Sequence, residues 1–88
     1  MNAIVKQPDR FSETDIDDEI VVMRLDNGEF FSLAGTAAAA WRLIDGKRGR
    51  EELVAALAAQ FDTPAADIAA DVDDFLASLR DMGFVAVV

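Results

Sequence analysis

Five side chains that could do chemistry, Asp67, Asp71, Asp74, Ser78 and Asp81, recur three or four residues apart. That spacing lines side chains along one flank of a helix. Carboxylates in such a row could serve acid–base catalysis or hold calcium, but neither fits. Acid–base work needs a second group of different pKa, and the chain has no histidine and no cysteine. The Asp-x-Asp-x-Asp-Gly loop of a calcium site is also absent. Lack of thiols and imidazoles removes disulfides, thiol nucleophiles, most zinc sites and the usual base near neutral pH. No cofactor or metal is expected, and enzymatic activity is disfavoured. Two readings remain for the acidic row. It is a solvated helix face, with Asp67 favoured near the helix start by the dipole. Alternatively, Asp71 and Asp74 border a groove and meet basic or hydroxyl groups of a ligand, with Ile68, Val72 and Phe75 as its apolar floor.

Other candidate chemistry is sparse. Lys47, Arg48 and Arg50 form a basic cluster, but the chain carries a net charge of −9 and a pI near 4.1, which opposes binding to polyphosphates and acidic membranes. These cations suit a solvated loop at the C-terminus of a helix. Ser78 stands in "ASLR" late in a helix, the wrong place for the arm-bearing serine of a carrier protein. The N-terminus "MNAIVKQPDR" lacks the apolar run of a signal peptide, and no stretch nears the roughly 18 apolar residues of a membrane span. A cytoplasmic protein is expected.

These residues must be positioned by a single small core. At 88 residues the chain buries only about 60–65% of its unfolded surface. Hydrophobic residues make up 52%, but sixteen of them are alanine, which favours helix and buries little area. One Trp, six Phe and the Leu, Ile and Val residues are the anchors.

The stretch "EIVVMRL" (19–25) reads as a strand, and Asn27-Gly28 is a strong hairpin signal joining it to 29–33. "RFSETDI" (10–16) pairs with 19–25 after a turn at Asp17-Asp18. With a two-residue turn, Phe30 shares a face with Met23 and Leu25, and Phe31 with Val22 and Leu33. Both faces are apolar, so which one points inward is open. From residue 36 the period becomes helical. Thr36 is the expected N-cap of a helix carrying Ala37, Ala40, Trp41 and Ile44 on one face and ended by Gly46. A second helix runs from about 50 to 60 with Leu53, Ala56, Leu57 and Phe61 on one face. Thr63-Pro64 starts a third, as a cap and a first-turn proline, with Ile68, Val72, Phe75, Leu76, Leu79 and Met82 apolar before Gly83. "FVAVV" (84–88) either returns to the sheet or lies against the helices. Residues 1–9 read as a flexible tail, and 10–88 as one domain. Strands followed by three helices make an α+β domain, an inventory shared with the winged helix-turn-helix.

The run "VVMRLDNGEFFSLAGTAAAAWRLIDG", then "REELVAALAAQF" and "DVDDFLASLRDMGFV", resembles the PqqD-like proteins, the leader-recognition elements of pathways that modify ribosomally made peptides. The resemblance covers about residues 10–85 and lies in the order and spacing of its pieces. Two positions depart from it: Ala34 stands where the family often has Asn, and Gly49 where it has a Thr cap.

The resemblance implies a winged-helix-like domain with three N-terminal strands that catalyses nothing. It would bind the leader of a precursor peptide by strand addition and present the rest to a radical-type modifying enzyme or, in lasso-peptide pathways, to a leader peptidase. The residues so implicated are Glu29, Phe30, Phe31, Ser32 and Leu33 on the strand, with Ile68, Asp71, Val72, Asp74 and Phe75 on the third helix. The bottom-up reading supplies a reason. "EFFSL" has no lysine, proline or bulge to blunt its outer edge, so either "FVAVV" covers it or a foreign strand does. An apolar outer sheet face would permit a homodimer. The alternative function is a winged-helix DNA-binding regulator, which the charge opposes.

Overall fold

The structure is a computed structural model that describes residues 3–88. Its elements are β1 (Ile4–Lys6), β2 (Phe11–Ile16), β3 (Glu19–Arg24), β4 (Phe30–Leu33), α1 (Gly35–Leu43), α2 (Arg50–Phe61), α3 (Ala65–Asp81) and β5 (Val85–Val87). Strands β2, β3 and β4 form one antiparallel sheet in that order, while β1 and β5 form a separate antiparallel ribbon. The expected α+β order of sheet and then helices is therefore present. No described helix is long and apolar enough to cross a membrane.

The β3–β4 connection differs from a two-residue turn. Arg24 donates its N–H to the Glu29 carbonyl at 2.8 Å and Gly28 donates to Arg24 at 2.9 Å, so Leu25 to Gly28 form a four-residue loop. Side chains stabilise it: Asp26 accepts from the Arg24 guanidinium, and Asn27 Oδ1 accepts the Glu29 N–H at 3.0 Å. Adding two residues shifts the pairing by an even number, so every side chain keeps its face. Val22 stands opposite Phe31 and Met23 opposite Phe30. Val22 is buried and Phe30 is 71% exposed, which makes the Phe31 face the inner one.

Several boundaries move from the sequence expectation. Gly35, at φ +60°, turns the chain straight from β4 into α1, so Ala34 takes the cap position without a side-chain hydrogen bond and Thr36 lies inside the helix. That helix ends at Leu43, ahead of Gly46, because Asp45 Oδ1 accepts the N–H groups of Lys47 and Arg48 at 2.9 and 3.2 Å and turns the chain. At the α2 start, Gly49 has no side chain to cap with. Glu52 instead accepts the Gly49 N–H at 2.9 Å, and α2 begins where expected. Phe61 is 39% exposed and not part of the core. Pro64, not Thr63, precedes α3; the Thr63 hydroxyl donates to the Phe61 carbonyl.

The largest departure is at the N-terminus. Where a flexible tail over 1–9 is expected, Ile4–Lys6 forms β1 and pairs with β5. Met1 and Asn2 lie outside the described residues. Reciprocal bonds between Ala3 and Val88 at 3.0 and 2.9 Å lock the ribbon, and Ile4 is only 2% exposed. "FVAVV" thus finds its main-chain partner in the N-terminal segment and leaves β4 uncovered.

Helices and strands meet in an aromatic cluster. Trp41 is fully buried, and its indole N–H donates to Glu13 Oε2 at 2.8 Å, so its polar atom is satisfied. Ring centroids lie 5.0 Å apart for Phe11 and Trp41, 5.4 Å for Phe11 and Phe84, and 6.3 Å for Phe31 and Phe84. Lys6 Nζ sits 4.3 Å from the Trp41 ring centroid. Burial draws the Lys6 pKa below its usual value, against the opposing pull of Glu13.

Truncating Ile4 tests the ribbon. Ile4→Ala is expected to lower unfolding free energy by about 2–4 kcal/mol, measured by urea denaturation. A loss below about 0.5 kcal/mol, usual for surface sites, would return this segment to a tail.

Candidate functional site

Consecutive residues of a sheet's end strand point their main-chain groups alternately inward and outward. The Arg24–Glu29 bond and the β3–β4 register make Phe31 and Leu33 the residues bonded to β3. The N–H and C=O of Phe30 and Ser32 therefore face outward. Among the described residues no strand pairs with this side of β4.

Two of the other three sheet edges are protected. Ile4 of β1 donates its outward N–H to the Arg48 carbonyl at 2.8 Å. On β2 the same alternation puts the backbones of Phe11, Glu13 and Asp15 at the edge, and two of those side chains are acidic, which discourages pairing. Sequence "FFSL" offers β4 no such charge.

A groove of about 490 Å³ runs between β4 and α3. Val22, Phe31, Leu33 and Phe84 form one wall and floor, and Phe75, Ser78, Leu79 and Met82 the other. At Phe75 it meets a smaller cleft of about 230 Å³, where Asp71 and Val72 face Thr36, Ala37 and Ala40 of α1. From Asp71 to Met82 the helix rises about 16 Å, the length of a strand of about five residues. The site can thus offer an extended segment both main-chain bonds and side-chain pockets.

The polar groups lie where β3 and α3 end. Arg24 is held by Asp26 through two bonds, 3.0 and 2.7 Å. Foremost through that hydrogen bond, the Asp26 carboxyl is kept below the usual aspartate range. Asp81 lines the same groove, and its carboxylate has no hydrogen bond or ion pair among the described residues. The uncommitted charge of the groove is therefore negative.

The residues expected from sequence divide. Phe31, Leu33 and Phe75 come together in the main groove, and Asp71, Val72 and Phe75 in the cleft. Phe30 and Ser32 contribute edge main chain while their side chains occupy the outer face; Phe30 is exposed, and the Ser32 hydroxyl donates to Glu19 at 3.1 Å. Glu29 precedes the strand and bonds Asn27. Ile68 is 4% exposed and belongs to the core, not to the groove lining. Asp74 is exposed and lines neither.

Expectation placed the groove against the N-terminal half of α3; it lies mainly against the C-terminal half. Ser78, Leu79 and Met82 follow Phe75 at i+3, i+4 and i+7, a period visible in the sequence. Strand alternation already set Val22 on the Phe31 face, whereas Phe84, beyond the last helix, carries no comparable signal. In the basic cluster, Arg48 pairs with Asp45 at 2.8 Å and also donates to the Leu43 carbonyl, as suits a helix C-terminus. Arg50 pairs with Asp73 at 2.6 Å.

A family model described as coenzyme PQQ synthesis protein D (PqqD) matches residues 19–85. The chain belongs to the PqqD family. That match spans β3 through the start of β5 and includes both walls of the groove. Among solved structures, this PqqD-family chain is similar to TbiB1 in complex with the TbiA(beta) leader peptide. The two share 27% identity at a TM-score of 0.81, over 92% of this chain and 93% of the other. No curated protein sequence matches.

Because the Asp26 pKa is lowered in the folded state, its ion pair stabilises above the ordinary aspartate pKa of about 3.9. That stabilisation is lost as pH falls through the lower folded value. In carboxyl NMR titrations Asp26 is expected to titrate below the usual range, and Arg24→Gln to move it back. An unchanged Asp26 in the variant would show that Arg24 is not the cause.

Proposed function

We propose that this chain binds the leader segment of a ribosomally synthesised precursor peptide, without catalysing any step itself. The leader adds as a strand beside β4, bonded to the outward main chain of Phe30 and Ser32. Its alternate side chains enter the groove between β4 and α3. One observation carries the reading: the β4 edge is uncovered and apolar beside a strand-length groove, in a fold shared with a protein solved in complex with a leader peptide. Strand addition of this kind takes its affinity from main-chain bonds and its register from pockets.

The groove's chemistry constrains the ligand. Phe31, Leu33, Phe75 and Leu79 favour apolar side chains at alternate positions, and Asp81 favours a basic or hydroxyl-bearing residue near the end of the strand. Asp71 can play the same part at the cleft. The bound precursor then passes to a second protein, either a leader peptidase of the lasso type or a radical-type modifying enzyme. Non-catalytic delivery accords with a chain that holds neither histidine nor cysteine.

A fluorescently labelled leader from the precursor encoded beside this protein is expected to bind at about 10 μM or tighter. Ser32→Pro deletes an outward N–H without touching the β3 ladder and should weaken binding at least about tenfold, equivalent to 1.4 kcal/mol. Lys47→Ala should leave it unchanged. Wild-type affinity in Ser32→Pro would rule out strand addition at β4.

A further inference from the structure

The β5 strand presents a second edge, which is open at Val87, 46% exposed, while Val85 is buried at 4%. Ala3 and Val88 exchange reciprocal bonds, and Gln7 donates to the Phe84 carbonyl at 2.7 Å. With the register Val5↔Ala86, these fix the alternation of the ribbon. Ala86 bonds to β1, whereas the main-chain N–H and C=O groups of Val85 and Val87 point away from it. No other described residue takes them up.

Beside this edge lies a groove of about 250 Å³, walled by Leu76, Ala77 and Arg80 of α3 with Ile4, Val85 and Val87 of the ribbon. Its residues on α3 fall on the opposite flank from Phe75, Ser78, Leu79 and Met82, roughly 150° away at about 100° per residue. The two grooves also differ in charge. Arg50 and Asp73 at the rim neutralise one another through bonds of 2.6 and 2.9 Å. Arg80 has no ion pair or side-chain hydrogen bond among the described residues. Consecutive residues of α3 thus give the β4 groove a free carboxylate, Asp81, and the β5 groove a free guanidinium, Arg80. On a chain of net charge −9, the second groove is a local basic spot.

We propose that the β5 edge is a second strand-docking site, which takes an extended segment of a partner protein with alternating apolar side chains and a carboxylate placed to meet Arg80. Val87 supplies the main-chain bonds, its N–H and C=O both facing outward, and Leu76 and Ala77 form the apolar floor beside the buried Val85. A second copy is a poor occupant, because it brings another nine negative charges and a guanidinium of its own to the one that needs an anion. Because α3 separates the sites, both edges can be filled at once. That the partner is the protein receiving the leader rests on the proposed leader binding; the docking site itself rests on the edge, the groove and Arg80.

Amide NMR of the labelled full chain tests this with two synthetic peptides, acetyl-Val-Thr-Val-Thr-Glu-amide and its lysine counterpart, at about 1–5 mM, a range suited to weak binding. The glutamate peptide is expected to shift the amides of Val85, Val87, Ala77 and Arg80, and to bind there at least about threefold more tightly than the lysine peptide. Arg80→Glu should reverse that preference. Val87→Pro, which removes only an outward N–H, should abolish the shifts while leader binding at Phe30 and Ser32 persists. Shifts confined to Phe30–Leu33, no shifts, or a preference unchanged in Arg80→Glu would each overturn the proposal. So would a dimer by light scattering that Val87→Pro dissolves, since it would assign the edge to a second copy. Leader binding is read in its own titration, so either idea can fail alone.

Discussion

Phe84 is 1% exposed, and the rings of Phe11, Phe31 and Trp41 all lie within 6.4 Å of its own. It follows α3 directly, its N–H donating to the Leu79 carbonyl at 2.9 Å. One side chain thus ties the end of the last helix to β2, β4 and α1, and burying a phenylalanine stabilises by about 1.5–3 kcal/mol. Its position has two consequences. The chain beyond it is directed to β1 and away from β4, and the floor of the β4 groove is built from a rigid ring. Without that anchor, α3 would not be held at a distance from β4 that leaves room for an extended segment.

The proposed function rests on what the sheet leaves unpaired. An edge strand is ordinarily a hazard, because its free N–H and C=O groups template aggregation. Here β1 is covered by the Arg48 carbonyl and β2 carries Glu13, which also bonds the buried Trp41, and Asp15, which pairs with Arg42 at the surface. Protection is applied selectively, and β4 is spared it beside an apolar groove. Charge adds a second filter. With Arg24 neutralised by Asp26, the groove presents Asp81 alone, which favours basic ligands and accords with the acidic character of the whole chain.

Much of this was legible in the sequence. Asn27-Gly28 and the strand residues around it determined the hairpin, and the face assignment of Phe30 and Phe31 survived a longer loop because the change was even. Helical periods located α2 and α3 to within a residue or two. What could not be read was tertiary. The segment Ile4-Val5-Lys6 is too short to show a period, and its partner Val85–Val87 is almost a chain length away. Along α3 the apolar residues run continuously from Ile68 to Met82, so the sequence does not say which are covered. In the fold Ile68, Val72 and Leu79 are all buried, but Val72 lies against α1 whereas Leu79 lines the larger groove with Ser78 and the half-buried Phe75 and Met82, which moves that groove toward the C-terminal end. Thr36 and Thr63 were credible caps by type, but Gly35 and Pro64 set the backbone before either could act.

The central claim is that an incoming strand completes the β4 edge, and amide hydrogen exchange with and without leader peptide reads this residue by residue. Phe31 and Leu33, already bonded to β3, should be protected in both states. Phe30 and Ser32 should exchange rapidly in the free protein and become protected only with leader bound, giving an alternating pattern along four residues. Uniform protection across β4, or protection elsewhere with Phe30 and Ser32 still exchanging rapidly, would contradict strand addition at this edge.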